Sequence, residues 1–98
     1  MKKFLGVFLL FASLVSASEH QLALYYRPNC YACKKVLEVM KQYNPPIILK
    51  NVSTNECDLR TLIQVGGKRQ VPCLFIDGEP LYESSDIIKW IEANQGRY

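Results

Sequence analysis

The chain has 98 residues, room for one domain and no more. Twelve Lys and Arg against nine Asp and Glu give a formal charge of +3, too close to neutral to favour nucleic acid or an anionic membrane surface. A hydrophobic content of 49% with 21% charged residues excludes a disordered polar chain.

The N-terminus reads as an export signal. Lys2 and Lys3 precede a twelve-residue apolar region from Phe4 to Val15, and Val15-Ser16-Ala17 offers small residues suited to cleavage after Ala17. The alternative is an anchor over residues 4–17, although a span needs about 20 apolar residues. Ser18, not Cys, stands immediately after the cleavage point, so lipoprotein processing is not expected. Residues 1–17 are therefore expected to be a signal peptide and residues 18–98 an exported domain in a periplasm-like or extracellular space. Losing Lys2 and Lys3 leaves ten bases against nine acids, a charge of +1.

Gln21 to Tyr26 is short, apolar and aromatic and stops before Pro28, as a buried strand does. From Tyr31 to Tyr43 the spacing turns helical, with Val36, Leu37, Met40 and Tyr43 on one side, until Asn44-Pro45-Pro46 ends it. Ile47 to Val52 is a second, β-branched strand. Ser53-Thr54-Asn55-Glu56 matches a capping box that opens a second helix, with Leu59, Leu62 and Ile63 as its apolar stripe and Gly66-Gly67 as its C-cap. Val71 to Ile76 is a third strand, and Asp77-Gly78 turns it into a fourth over Glu79 to Tyr82. Ser84, Ser85 and Asp86 are N-cap candidates for a last helix carrying Ile87, Ile88, Trp90 and Ile91, with Gly96 past its end. The order βαβαββα predicts an α/β domain. A parallel crossover and a hairpin would build a mixed four-stranded sheet covered by three helices.

This order puts Cys30-Tyr31-Ala32-Cys33 where the first strand meets the first helix. Free N–H groups and the positive end of the helix dipole stabilise a thiolate at Cys30. Cys33 lies one turn on, within reach of a local disulfide. Cys30 is the expected attacking sulfur and Cys33 the buried resolving thiol, with Arg27 adding positive charge. A Pro cannot donate to a ladder, so Val71-Pro72 argues for an edge or bend position. A cis bond there would leave the Val71 backbone free for an extended thiol substrate; an ordinary trans Pro at a strand start is the alternative.

Tyr26-Arg27-Pro28-Asn29-Cys30-Tyr31-Ala32-Cys33, with Val71-Pro72 and Phe75-Ile76-Asp77-Gly78, resembles a glutaredoxin of the thioredoxin superfamily. The resemblance covers residues 21 to about 94. It implies the thioredoxin-like fold, a nucleophilic Cys30, a redox-active Cys30–Cys33 disulfide and a cis Pro72. It further implies that glutathione lies along a groove beside Cys30, Tyr31 and Pro72. There Arg27 would face a carboxylate, Val71 would pair with the cysteinyl unit, and Ser84, Ser85 and Asp86 would receive the γ-glutamyl end. Two departures stand out: Tyr31 replaces the frequent Pro, and Tyr82-Glu83 replaces a frequent Gly-Gly. Leu81-Tyr82-Glu83-Ser84-Ser85-Asp86 resembles instead the N-terminal domain of glutathione transferases, whose Glu-Ser pair holds the glutamyl group.

The implied activity is a glutathione-linked thiol–disulfide oxidoreductase acting as a monomer on disulfide-bonded or glutathionylated proteins. Glutathione would be co-substrate, with no bound cofactor and no metal. Export opens a second reading, a periplasmic reductase, isomerase or oxidase independent of glutathione. A third is a Cys-ligated metal or iron–sulfur protein using Cys30 with Cys57 or Cys73. Free Cys is most often a small buried residue, and that reading is open for Cys57 and Cys73 beside a secondary redox role. His20 reads as a solvated side chain, and Tyr25, Tyr26 and Trp90 as packing residues.

Overall fold

The computed structural model describes residues 19–98. The expected signal peptide, its cleavage point and the alternative anchor all lie outside the described residues. Seven elements follow in order: β1 (Leu22–Tyr26), α1 (Tyr31–Tyr43), β2 (Ile47–Asn51), α2 (Glu56–Gly66), β3 (Cys73–Ile76), β4 (Glu79–Tyr82) and α3 (Ser84–Ala93). The strands form one sheet in the order β2-β1-β3-β4. β1 runs parallel to β2, with Leu24 opposite Leu49, and antiparallel to β3, with Leu24 opposite Leu74. β3 and β4 make the expected hairpin. Among the described residues no helix is long and apolar enough to cross a membrane.

Alternation along the strands divides the core in two. Leu22, Leu24 and Leu74 face Val36 of α1 and Ile87 and Ile91 of α3. Tyr25, Cys73 and Phe75 face Leu62 of α2 on the other side, together with Val52. Full burial of a Leu or Ile contributes roughly 1.5–3 kcal/mol each, so these few residues carry most of a small domain's stability. The partly buried Leu37, Met40 and Tyr43 flank the first layer, as the helical spacing implies. The stripe of α2 is narrower than expected: Leu62 is fully buried, whereas Ile63 is 38% exposed.

Helix ends depart most from the sequence reading. α1 stops as expected, with Asn44 in the left-handed region at φ 51° and its N–H donating to the Met40 carbonyl. The Ser53–Glu56 capping box does not form. Asn51 Oδ1 accepts from the Ser53 N–H at 2.9 Å, and this turn moves the cap two residues on. Asn55 is the N-cap, its side chain accepting from the Asp58 N–H at 3.0 Å. Gly66 is the last helical residue and Gly67 the C-cap at φ 92°. A Cβ on Gly66 would stand 2.6 Å from the Tyr82 hydroxyl, so any side chain there would push the Tyr82 ring aside where α2 meets β4.

His20 is half-buried, not fully solvated. Its Nδ1 lies 2.7 Å from Asp77 Oδ2, and its ring meets the Trp90 edge at 5.4 Å. The Asp77 carboxyl is held below its usual range by His20 first and by the Gln21 N–H second. Just beyond, the Tyr98 carbonyl accepts from the N–H groups of Glu19 and His20 at 2.9 and 2.7 Å.

Candidate functional site

β1 ends at Tyr26, and four residues later Cys30 becomes the N-cap of α1 with extended φ −127° and ψ 115°. An N-cap side chain normally offers an oxygen to the free N–H groups of the first turn. Here it offers sulfur: Cys30 Sγ accepts from the Cys33 N–H at 3.1 Å. The same N–H stabilises negative charge on that sulfur once the residue is reduced. Cys30 and Cys33 are joined as a disulfide with Cα atoms 5.1 Å apart. Cys33 is fully buried and Cys30 half-buried, so only one sulfur can meet a partner from outside.

The Val71 carbonyl oxygen lies 4.0 Å from Cys30 Sγ, which brings a segment 41 residues away to the disulfide. The Val71–Pro72 peptide bond is cis. β3 begins only at Cys73 and is a central strand, so Val71 and Pro72 occupy the bend, not the edge, of the two expected positions. Among the described residues no backbone partner takes the Val71 N–H or carbonyl, so both are free to receive an extended chain.

The far wall is the start of α3. Ser84, Ser85 and Asp86 do not cap it; they form its first turn, and the N-cap is Glu83. Glu83 makes no side-chain cap bond, and its backbone sits at φ 69°, a region that side chains rarely enter. Its carbonyl accepts from the Asp86 and Ile87 N–H groups at 3.1 and 3.0 Å. The free N–H groups of this first turn make a seat for a carboxylate, beside the acidic Asp86 side chain.

Gln70 joins the two walls, its Nε2 donating to Glu83 Oε2 at 3.4 Å. Nothing in the sequence singled out Gln70, because its role depends on the fold bringing 70 beside 83. A continuous line thus runs from Cys30 through Val71, Gln70 and Glu83 to Ser84. On the near side Arg27 is half-buried, and Tyr31 is 77% exposed with Lys35 Nζ 5.1 Å from its ring centre. No contact draws Arg27 or Tyr31 into that line.

Cys73 does not belong to the site. It follows Pro72 but projects to the opposite face of the sheet, fully buried with Tyr25, Leu62 and Phe75. Burial pushes its thiol up to about 11, partly opposed by the Tyr82 hydroxyl and the Leu81 backbone. Such a thiol is inert at neutral pH. Cys57 is exposed in the first turn of α2, and neither residue is disulfide-bonded. Among the described residues no three His, Cys, Asp or Glu side chains converge as metal ligands would.

The glutaredoxin family model matches residues 22–81, from β1 through both cysteines and the Val71–Pro72 bend. The chain belongs to the glutaredoxin family. Its chemistry is therefore thiol–disulfide oxidoreduction in general. No curated protein matches the chain in sequence. Among solved structures, this glutaredoxin superposes on a thioredoxin-like protein with TM-score 0.65 at 21% identity, over 72% of this chain and 99% of that one. Oxidised glutaredoxin 2 from Chlamydomonas reinhardtii gives TM-score 0.59 at 19% identity, over 78% and 75%. A delta-class glutathione transferase from Nilaparvata lugens gives TM-score 0.65 at 25% identity, over 79% of this chain but only 37% of the transferase. These likenesses establish the thioredoxin-like fold of the glutaredoxin.

Proposed function

We propose that the protein is a glutathione-linked oxidoreductase that reduces protein disulfides and glutathione mixed disulfides through Cys30 and Cys33. The observation that carries this reading is the Cys30 sulfur, half-buried at a helix N-terminus, bonded to a buried partner and facing the free Val71 backbone. A glutathione thiolate attacks Cys30 Sγ of the disulfide, forming a Cys30–glutathione bond and releasing Cys33 as the thiol. A second glutathione thiolate attacks the glutathione sulfur, giving oxidised glutathione and a Cys30 thiolate. That thiolate attacks a substrate disulfide and expels one sulfur as a thiolate. Either Cys33 or glutathione then resolves the mixed disulfide. Two electrons pass from two glutathiones to one substrate disulfide, and each expelled thiolate takes its proton from water.

In this reading the Val71 N–H and carbonyl pair with the cysteinyl unit of glutathione, beside Pro72 and Tyr31. The free N–H groups at Ser84 and Ser85 receive the γ-glutamyl carboxylate, Asp86 faces its ammonium, and Arg27 faces the glycine carboxylate. The proposal includes export behind residues 1–17, and a protein isolated from its own compartment would then begin at Ser18 by mass spectrometry.

The test is glutathione-dependent release of glutathione from a glutathionylated peptide. Cys30→Ser abolishes turnover. Cys33→Ser retains release of glutathione but loses reduction of a protein disulfide through the dithiol route. Full activity of Cys30→Ser would overturn the mechanism. No turnover from a protein whose 30–33 disulfide is still reducible would favour the glutathione-independent reading.

A further inference from the structure

The near-neutral total conceals an uneven distribution of charge. Arg27, Lys34 and Lys35 lie in the segment 27–35, which has no acid, and Lys68 and Arg69 lie in the segment 66–70, which has none either. All nine carboxylates fall at residue 19 or later, within the described residues. Three ion pairs form among them, His20–Asp77, Lys41–Glu38 and Lys50–Asp58, and none includes those five bases.

The first segment flanks the disulfide at the start of α1, and the second leads through Gln70 to Val71, whose carbonyl lies 4.0 Å from Cys30 Sγ. Lys34 lies one helical turn beyond Cys30, its N–H donating to the Cys30 carbonyl at 3.0 Å, so its side chain rises on the same helix face as the sulfur. Lys35 stands over the exposed ring of Tyr31. Lys68 Nζ lies 5.1 Å from the Tyr82 ring centre, and the Tyr82 hydroxyl donates to the Lys68 carbonyl at 3.1 Å. This fixes the loop that leads through Arg69 and Gln70 to Val71, whose carbonyl meets Cys30. The acids near the groove, Glu83 and Asp86, stand on the other wall at the start of α3, and Glu83 is engaged by Gln70.

One wall is therefore cationic and the other anionic. A single glutathione has two carboxylates, of which one is expected at the start of α3. The other cannot neutralise five bases. We propose that this surplus cationic rim, with Tyr31 as its exposed aromatic platform, docks an acidic segment of the protein substrate. The substrate class is a protein whose disulfide or glutathionylated cysteine is flanked by two or more Asp or Glu residues. The inference rests on the redox reading of Cys30 and adds the substrate's flanking chemistry, leaving the bond-exchange steps unchanged. Exposed bases act over roughly a Debye length, about 8 Å at physiological salt. Their effect is expected chiefly on the association rate and to fall with salt.

The experiment compares two glutathionylated peptides, identical except for Asp/Glu or Lys flanks, with the small neutral disulfide of 2-mercaptoethanol as reference. At low ionic strength kcat/KM for the acidic peptide should exceed that for the basic one by about tenfold, shrinking to about twofold in high salt. In the double variant Lys35→Glu with Arg69→Glu, the acidic-to-neutral ratio should fall by about tenfold. Referring both rates to the neutral disulfide removes any change in Cys30 reactivity. Equal turnover of both peptides at low salt, with the neutral disulfide still reduced, would overturn the rim and leave the redox reading standing. Failure to turn over even the neutral disulfide would overturn both.

Discussion

Glu83 is where sequence and backbone conflict most sharply. Its φ of 69° suits glycine, and a side chain held there costs about 1–3 kcal/mol. Glu83→Gly relieves that cost but adds about 0.5–1 kcal/mol of unfolded-chain entropy, so a net gain of about 1 kcal/mol is expected in urea unfolding. On the Glu-Ser resemblance to glutathione transferases, Glu83 joins Asp86 in facing the γ-glutamyl ammonium, so the same variant should raise KM for a glutathionylated peptide by about threefold, since an exposed ion pair is worth little more. Stabilisation without a change in KM would place the Glu83 carboxylate outside the substrate's reach. The cysteines make a second residue-scale case. In the native oxidised protein a maleimide should label Cys57 alone, with Cys73 reacting only after unfolding, as intact mass would show. Because the folded Cys73 thiol is raised from 9.0 to about 11, its contribution to stability is complete below the lower value and is lost as pH climbs towards the higher. The fall in Tm across that window should be smaller in Cys73→Ala. The placement of Cys30 at a helix start, within disulfide reach of a buried Cys33, was legible from their spacing and from the strand-to-helix junction. The inertness of Cys73 was not, since its neighbour Pro72 faces the site while alternation sends its own side chain through the sheet.

At the scale of elements, strong local patterns carried through. α1 spans Tyr31–Tyr43 as its apolar spacing and its Pro-Pro stop require, and β4 spans Glu79–Tyr82 because Asp77-Gly78 leaves a hairpin one place to turn. Caps were less legible, because they depend on the path by which the chain enters a helix. Ser53 and Glu56 satisfy the capping pattern, yet the turn at Asn51 consumes Ser53 and Thr54 and gives the role to Asn55. Asn55→Ala should therefore cost about 1 kcal/mol, while Ser53→Ala stays within about 0.5, read from paired Tm measurements. Ser84, Ser85 and Asp86 follow the same logic. They are cap-forming residue types placed one step too late, and the N–H groups of Ser84 and Ser85 remain available to a ligand because no side chain claims them. Gln70 lay beyond sequence reasoning altogether, since its partner Glu83 is 13 residues away across a hairpin.

Across the whole molecule, the sheet order makes β1 central and sends the chain from Leu22, beside Ile76 and the Asp77 turn, to Tyr26 below the disulfide. The five residues of β1, at about 3.3 Å each, separate the His20–Asp77 end from the redox end by the height of the sheet. At that remote end Glu19 and His20 are bonded to the carbonyl of Tyr98. A circular permutant that links Tyr98 to Glu19 and opens between the exposed Ser53 and Thr54 should keep its circular dichroism and its deglutathionylation rate within about twofold. Loss of folding in that permutant would mean that the loop between β2 and α2 must be continuous. The meeting of Glu19 with Tyr98 has an architectural consequence. A unit whose chain enters and leaves at one point can be spliced into a longer polypeptide as a cassette, its host attached at the heel and its reactive sulfur left facing outward.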